Sequence, residues 1–75
     1  INIYPNPTSG IFTIQTLNTS EQTSVEVRDV LGKVVLKELN FTGQTLLDLS
    51  KLTKGIYTLV LKSGDEYTTK QVALK

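Results

Sequence analysis

Apolar side chains recur at every second position along most of the chain, the spacing of half-buried strands. No stretch carries the three-and-four spacing of an amphipathic helix over a useful length. The clearest run opens at Gly55, where Tyr57, Leu59 and Leu61 share one face and Ile56, Thr58, Val60 and Lys62 the other. Aliphatics on both faces predict a central, covered strand. Ser63-Gly64-Asp65-Glu66 supplies a reversal, since Gly64 accepts positive φ and Asp65 can bond its own backbone. In the return strand, Thr68, Lys70, Val72 and Leu74 alternate with Tyr67, Thr69, Gln71 and Ala73. Its polarity predicts a sheet edge with uncovered ladder groups.

The rest of the chain reads the same way. Residues 1–4 form a short strand stopped by Pro5, which cannot donate to a ladder. Pro5-Asn6-Pro7-Thr8-Ser9-Gly10 is a stiff corner in which Gly10 is free to turn left-handed. Phe12, Ile14 and Thr16 mark a second strand, and the polar residues 18–23 a loop. Val25 and Val27 alternate with Glu26 and Arg28. Asp29-Val30-Leu31-Gly32-Lys33 carries the strongest hairpin signal, with Asp29 as acceptor for turn N–H groups and Gly32 at positive φ. Residues 33–39 are the partner strand and residues 40–44 a turn around Gly43. In the strand 45–49, Leu47 and Leu49 point inward and Asp48 outward. Residues 50–55 cross over as one helical turn capped by Ser50, with Leu52 plugging the core.

About seven short strands with turn signals roughly every eight to twelve residues predict an all-β fold. The expected form is a small immunoglobulin-like antiparallel β-sandwich, with a small barrel as the alternative. The cysteine pair and tryptophan of antibody domains are missing, so only the architecture is implied.

Composition narrows the chemistry. The 75 residues are expected to form one domain, residues 1–75, near the lower limit for a self-sufficient core. Without cysteine or histidine, disulfide and zinc staples and most general-base and thiol mechanisms drop out. A core of this size rarely contributes more than about 3–5 kcal/mol net, so regular pairing and well-made turns must do the rest. The net charge is +1 and the basic residues are scattered, which removes nucleic acid from the expected partners. No apolar run is long enough to span a bilayer, no secretory signal peptide is visible, and direct membrane insertion is not expected. The sequence starts at Ile1 without methionine and reads as a piece of a longer precursor.

The carboxylates have plain structural roles: Asp29 and Asp65 in turns, Glu26, Glu38 and Asp48 on outward strand positions. No convergent pocket is implied, so neither catalysis, a cofactor nor a metal is expected, and Asp65-Glu66 alone is a poor calcium site. Tyr4, Phe41 and Tyr67 admit a sugar-stacking platform, though dispersed aromatics more often seal a core edge. Asn18-Thr19-Ser20 and Asn40-Phe41-Thr42 are formal glycosylation sequons, triplets common by chance. The residues alone describe a small non-catalytic β-sandwich. One reading is an accessory module, structural or carbohydrate-binding, of a surface or secreted enzyme.

Four blocks carry a more specific resemblance. They are Tyr4-Pro5-Asn6-Pro7-Thr8-Ser9-Gly10 with Phe12-x-Ile14; Val25-x-Val27-x-Asp29-x-x-Gly32-Lys33-Val34; Asp48-Leu49-Ser50-x-Leu52-x-x-Gly55-Ile56-Tyr57; and Lys70-Gln71-Val72-Ala73-Leu74-Lys75. In this order they resemble the C-terminal sorting domains of the type IX (Por) secretion system of Bacteroidota over essentially the whole chain. Thr53 stands where that family often has proline, and Gln71 where the approach to the end is commonly more basic. The resemblance implies a non-catalytic signal for an N-terminal cargo on the same chain. The cargo would pass through the periplasm and then be secreted or held at the cell surface. The implied partners are the type IX outer-membrane machinery and a surface sortase capable of removing the domain. Lys70, Gln71, Val72, Ala73, Leu74 and Lys75 become candidate recognition residues, with the last strand as an edge for β-augmentation. Tyr4, Pro5, Asn6, Pro7, Gly10, Asp29, Gly32, Gly55 and Tyr57 are expected to determine the fold.

Overall fold

A computed structural model describes residues 1–16 and 22–75, with the side chains of residues 38 and 39 outside the description. The strands are β1 (Asn2–Tyr4), β2 (Ile11–Gln15), β3 (Thr23–Arg28), β4 (Val34–Phe41), β5 (Gln44–Asp48), β6 (Gly55–Ser63) and β7 (Glu66–Leu74). They form a three-stranded sheet in the order β1-β2-β5 and a four-stranded sheet in the order β4-β3-β6-β7. Every strand pair is antiparallel. This is the immunoglobulin arrangement with the fourth strand paired to the third instead of the fifth. Between the sheets the described residues show an isolated bridge, Thr8 to Leu74, and no continuous ladder, so the molecule is a sandwich and not a barrel.

Alternation delivers the core. β2 and β5 send in Phe12, Ile14 and Leu47; β3 sends Val25 and Val27; β6 sends Tyr57, Leu59 and Leu61; β7 sends Val72 and Leu74. β6 is central, flanked by β3 and β7, and its outward Thr58 and Val60 are half-buried. β7 is an edge strand, as its polarity predicts.

Three local expectations change. Phe41 belongs to β4 and is buried, so the following turn is shorter than residues 40–44. Thr23, placed in the loop 18–23, opens β3 and is buried, while residues 17–21 of that loop and the sequon at Asn18 lie outside the described residues. Residues 50–55 form no helix. The Leu52 N–H donates to the Leu49 carbonyl at 2.9 Å, and the Ser50 N–H donates to Asp48 Oδ1 at 2.8 Å. Asp48 therefore takes the capping role expected of Ser50, because it stands two residues ahead of the N–H that needs an acceptor. Leu52 packs partly buried against the core.

Candidate functional site

The last strand is two different structures end to end. From Gln71 onward its inner side chains Val72 and Leu74 are core, with exposures of 1% and 4%, Ala73 is half-buried, and Gln71 and Lys75 are exposed. Lys70, one residue earlier, is also exposed. Of the candidate recognition residues, then, Lys70, Gln71 and Lys75 offer side chains to a partner, whereas Val72 and Leu74 are held by the fold.

The outer edge of this second half is closed by the corner that precedes β2. Asn6 Nδ2 donates to the Gln71 carbonyl at 3.1 Å, and the Ala73 N–H donates to Asn6 Oδ1 at 3.1 Å. The Thr8 N–H donates to the Ala73 carbonyl at 2.9 Å, and the Lys75 N–H donates to the Thr8 carbonyl at 2.9 Å. A primary amide presents a donor and an acceptor side by side, so one asparagine can stand in for a peptide of a neighbouring strand. Pro5 and Pro7 have no N–H to give, which leaves the Asn6 side chain and the Thr8 main chain to make the contact. Both the Tyr4-Pro5 and Asn6-Pro7 peptides are cis.

The corner is itself anchored. Thr8 is buried, its hydroxyl donating to the Ile11 carbonyl at 3.0 Å and accepting from the Gly10 N–H at 3.1 Å. The Leu49 N–H donates to the Gly10 carbonyl at 2.7 Å. Gly10 has φ 150°, and a Cβ there would lie 2.8 Å from Ser50 Cβ and 2.9 Å from its Cα. Close approach, beyond conformational freedom, fixes glycine at this position.

The expectation that the last strand leaves its ladder groups uncovered therefore fails for Gln71–Lys75 and holds only earlier. Antiparallel pairing turns both main-chain groups of alternate residues away from the neighbour. Ala73 faces outward, so Tyr67 and Thr69 do as well, and among the described residues nothing pairs with their outward groups.

The β3–β4 turn has the predicted chemistry. Asp29 Oδ1 accepts from the Leu31 N–H at 2.9 Å and the Lys33 N–H at 3.0 Å. The Asp29 N–H donates to the Lys33 carbonyl, the Gly32 N–H donates to the Asp29 carbonyl, and Gly32 has φ 86°. Gly55 has φ 156° and open space where a Cβ would stand, so backbone conformation and not approach selects it. Tyr57 is buried, and its hydroxyl donates to the Thr53 carbonyl, pinning the crossover that enters β6.

The aromatics do not assemble a platform. Tyr4 is exposed on β1, Tyr67 is exposed on β7 of the other sheet with Lys62 Nζ 5.4 Å from its ring centre, and Phe41 is core. Among the carboxylates, hydrogen bonds from Ser50, with Lys51 nearby, hold the Asp48 carboxyl below the usual aspartate range. Its place in a solvent-facing turn explains that shift without a site.

The family model described as the secretion system C-terminal sorting domain matches residues 2–75, all but the first residue of the sandwich. The chain belongs to this family. A search of curated proteins found no match. Membership gives the sorting domain its role as a signal for type IX secretion, with the secretion machinery as partner and the cell surface or the medium as destination. The corner at Asn6 and the strand it clasps are thus the first and last blocks of one signal. Sequence reading places Asn6 among fold determinants without its target. The available signal was an amide isolated between two prolines, a residue whose neighbours on both sides have no N–H to donate.

Proposed function

We propose that the sorting domain works without catalysis as a displayed address. A cargo on the same chain reaches the periplasm, the domain folds there, and the outer-membrane type IX machinery reads it and exports the cargo. A surface sortase then removes the domain. Recognition runs through the exposed side chains of Lys70, Gln71 and Lys75, because from Gln71 onward the outer main chain is already engaged by Asn6 and Thr8. Ala73 contributes through that engagement, and Val72 and Leu74 through the core. The observation that carries this reading is the family match across residues 2–75. Among the described residues, no exposed aromatic cluster or convergent pocket favours an accessory sugar-binding module.

The test is export of a periplasm-targeted fluorescent protein bearing the domain, in a Bacteroidota host with the type IX system intact or disabled. The expected result is reporter on the surface or in the medium only in the intact host, with the cleaved and uncleaved forms separated by size. A Lys70→Ala/Lys75→Ala pair should melt like the parent and export less. A folded parent fusion retained in the periplasm of the intact host overturns the reading. Parental export by the lysine pair moves recognition away from those side chains.

A further inference from the structure

The β3–β4 turn holds Val30 and Leu31 at 76% and 89% exposure, the most exposed large apolar side chains among the described residues. The turn does not require them: its geometry comes from Asp29, from Gly32 and from hydrogen bonds among main-chain groups. Single exposed aliphatics are ordinary on protein surfaces. Here two adjacent ones stand on a locked turn and continue into a groove lined by Val30, Val35, Leu52, Ile56 and Tyr57. Val34 and Ile56 are exposed nearby, at 38% and 44%. Two lysines flank the tip, beside the Asp29 carboxylate that the turn itself engages. Lys54 lines the same groove and Lys33 closes the turn, and neither has an ion pair among the described residues. Arg28 at the base of the turn pairs with Glu26 at 2.9 Å.

We propose that this tip is a second recognition element, an apolar anchor that enters a socket with an acidic rim on a protein of the export machinery. The proposal rests on the sorting function argued above and adds to it a surface that continues from Val30 and Gly32 across Ile56 and Thr58 of β6 to Thr69 and Gln71 of β7. A rigid anchor suits a socket, because its ordering is complete before docking and the aliphatics can be fully desolvated. A bilayer gains nothing from a locked turn, and two side chains offer less apolar carbon than the single acyl chain that itself binds membranes only marginally.

The test uses the same reporter fusion in the intact host, with Val30→Ser/Leu31→Ser, Leu31→Gln, Leu31→Met and Lys33→Glu/Lys54→Glu. The serine pair should export about tenfold or more slowly, as expected for loss of an interface anchor. Leu31→Met should stay close to the parent, and the charge reversal should fall between them. All four should melt with the parent. Export of the serine pair at the parental rate overturns the inference and leaves the sorting function standing, whereas retention of the parent fusion overturns both. Unfolding of both the serine pair and Leu31→Gln also overturns it, since the fold would then be using these side chains. Tip-dependent sedimentation with phosphatidylglycerol vesicles would replace the socket with a lipid surface. Tip-dependent dimerisation in sedimentation velocity would replace it with a second copy.

Discussion

Glu66–Lys70 and Gln71–Leu74 share a neighbour, β6, and run in unbroken register along it, with Lys75 just beyond. Their other sides differ. In the first half Tyr67 and Thr69 turn unpaired main-chain groups toward solvent, and the side chains are exposed or half-buried. In the second half, Val72 and Leu74 sit under the sandwich and the Asn6–Thr8 corner occupies the outer edge. An edge strand is therefore not uniformly an edge: what lies beside it residue by residue decides which of its groups a partner can still reach.

The largest effect that would sharpen this contrast is in packing. Leu74→Ala should cost about 2–5 kcal/mol, enough to unfold much of a domain this small, while Tyr67→Ala should stay within about 0.5 kcal/mol. Thermal and denaturant melts measure both, and equal costs would break the comparison. Proline gives a cleaner probe of the outer edge. Ala73→Pro removes a donor engaged by Asn6, whereas Thr69→Pro removes one that faces solvent. The former should be the worse by about 1–2 kcal/mol in the same melts.

A smaller effect follows from the clasp itself. Asn6→Ala removes two exposed hydrogen bonds and should cost about 1 kcal/mol. Hydrogen exchange should quicken at Ala73 and leave the inward-bonded amides of the first half unchanged. Acid should have the smallest effect. The Asp48 carboxyl has its pKa lowered in the fold by Ser50, so its contribution is present above the unfolded-state aspartate range, about pH 4, and is lost as pH falls through the lower folded value. Leu49 links this turn to Gly10 and so to the corner. As the pH falls below about 4, protection should fall at Ala73 before it falls at Thr68, and Asp48→Asn should abolish the difference.

Most of the sandwich is legible in the sequence because its elements obey a local rule. Phe12 with Ile14, Val25 with Val27, and Tyr57 with Leu59 and Leu61 declare their faces by alternation alone, and Asp29 with Gly32 declare a turn. Phe41 escapes because a single aromatic beside Gly43 has turn-like neighbours and no alternation to place it. Asp48 and Ser50 are confused because both are good caps and only the direction of the chain decides which meets the free N–H. The clasp at Asn6 is the deeper loss. Periodicity reports contacts between a residue and its own strand or turn, and this one joins opposite ends of the chain.

That separation has a consequence for folding order. The Asn6 bonds bridge sequence separations of 65 and 67 residues. Closing so long a loop in a disordered chain is opposed by an entropy that grows with the logarithm of its length, and strand pairing inside the loop shortens the path before the ends must meet. The corner is therefore expected to meet the last strand late, after β2 has found β5 and β3 has found β6. A chain still emerging into a compartment, or one arrested half-folded, has the same residues at its end but not the same surface. Because the clasp exists only once both ends of the chain have met, the surface around Gln71 and Ala73 differs between a finished domain and a partly folded one.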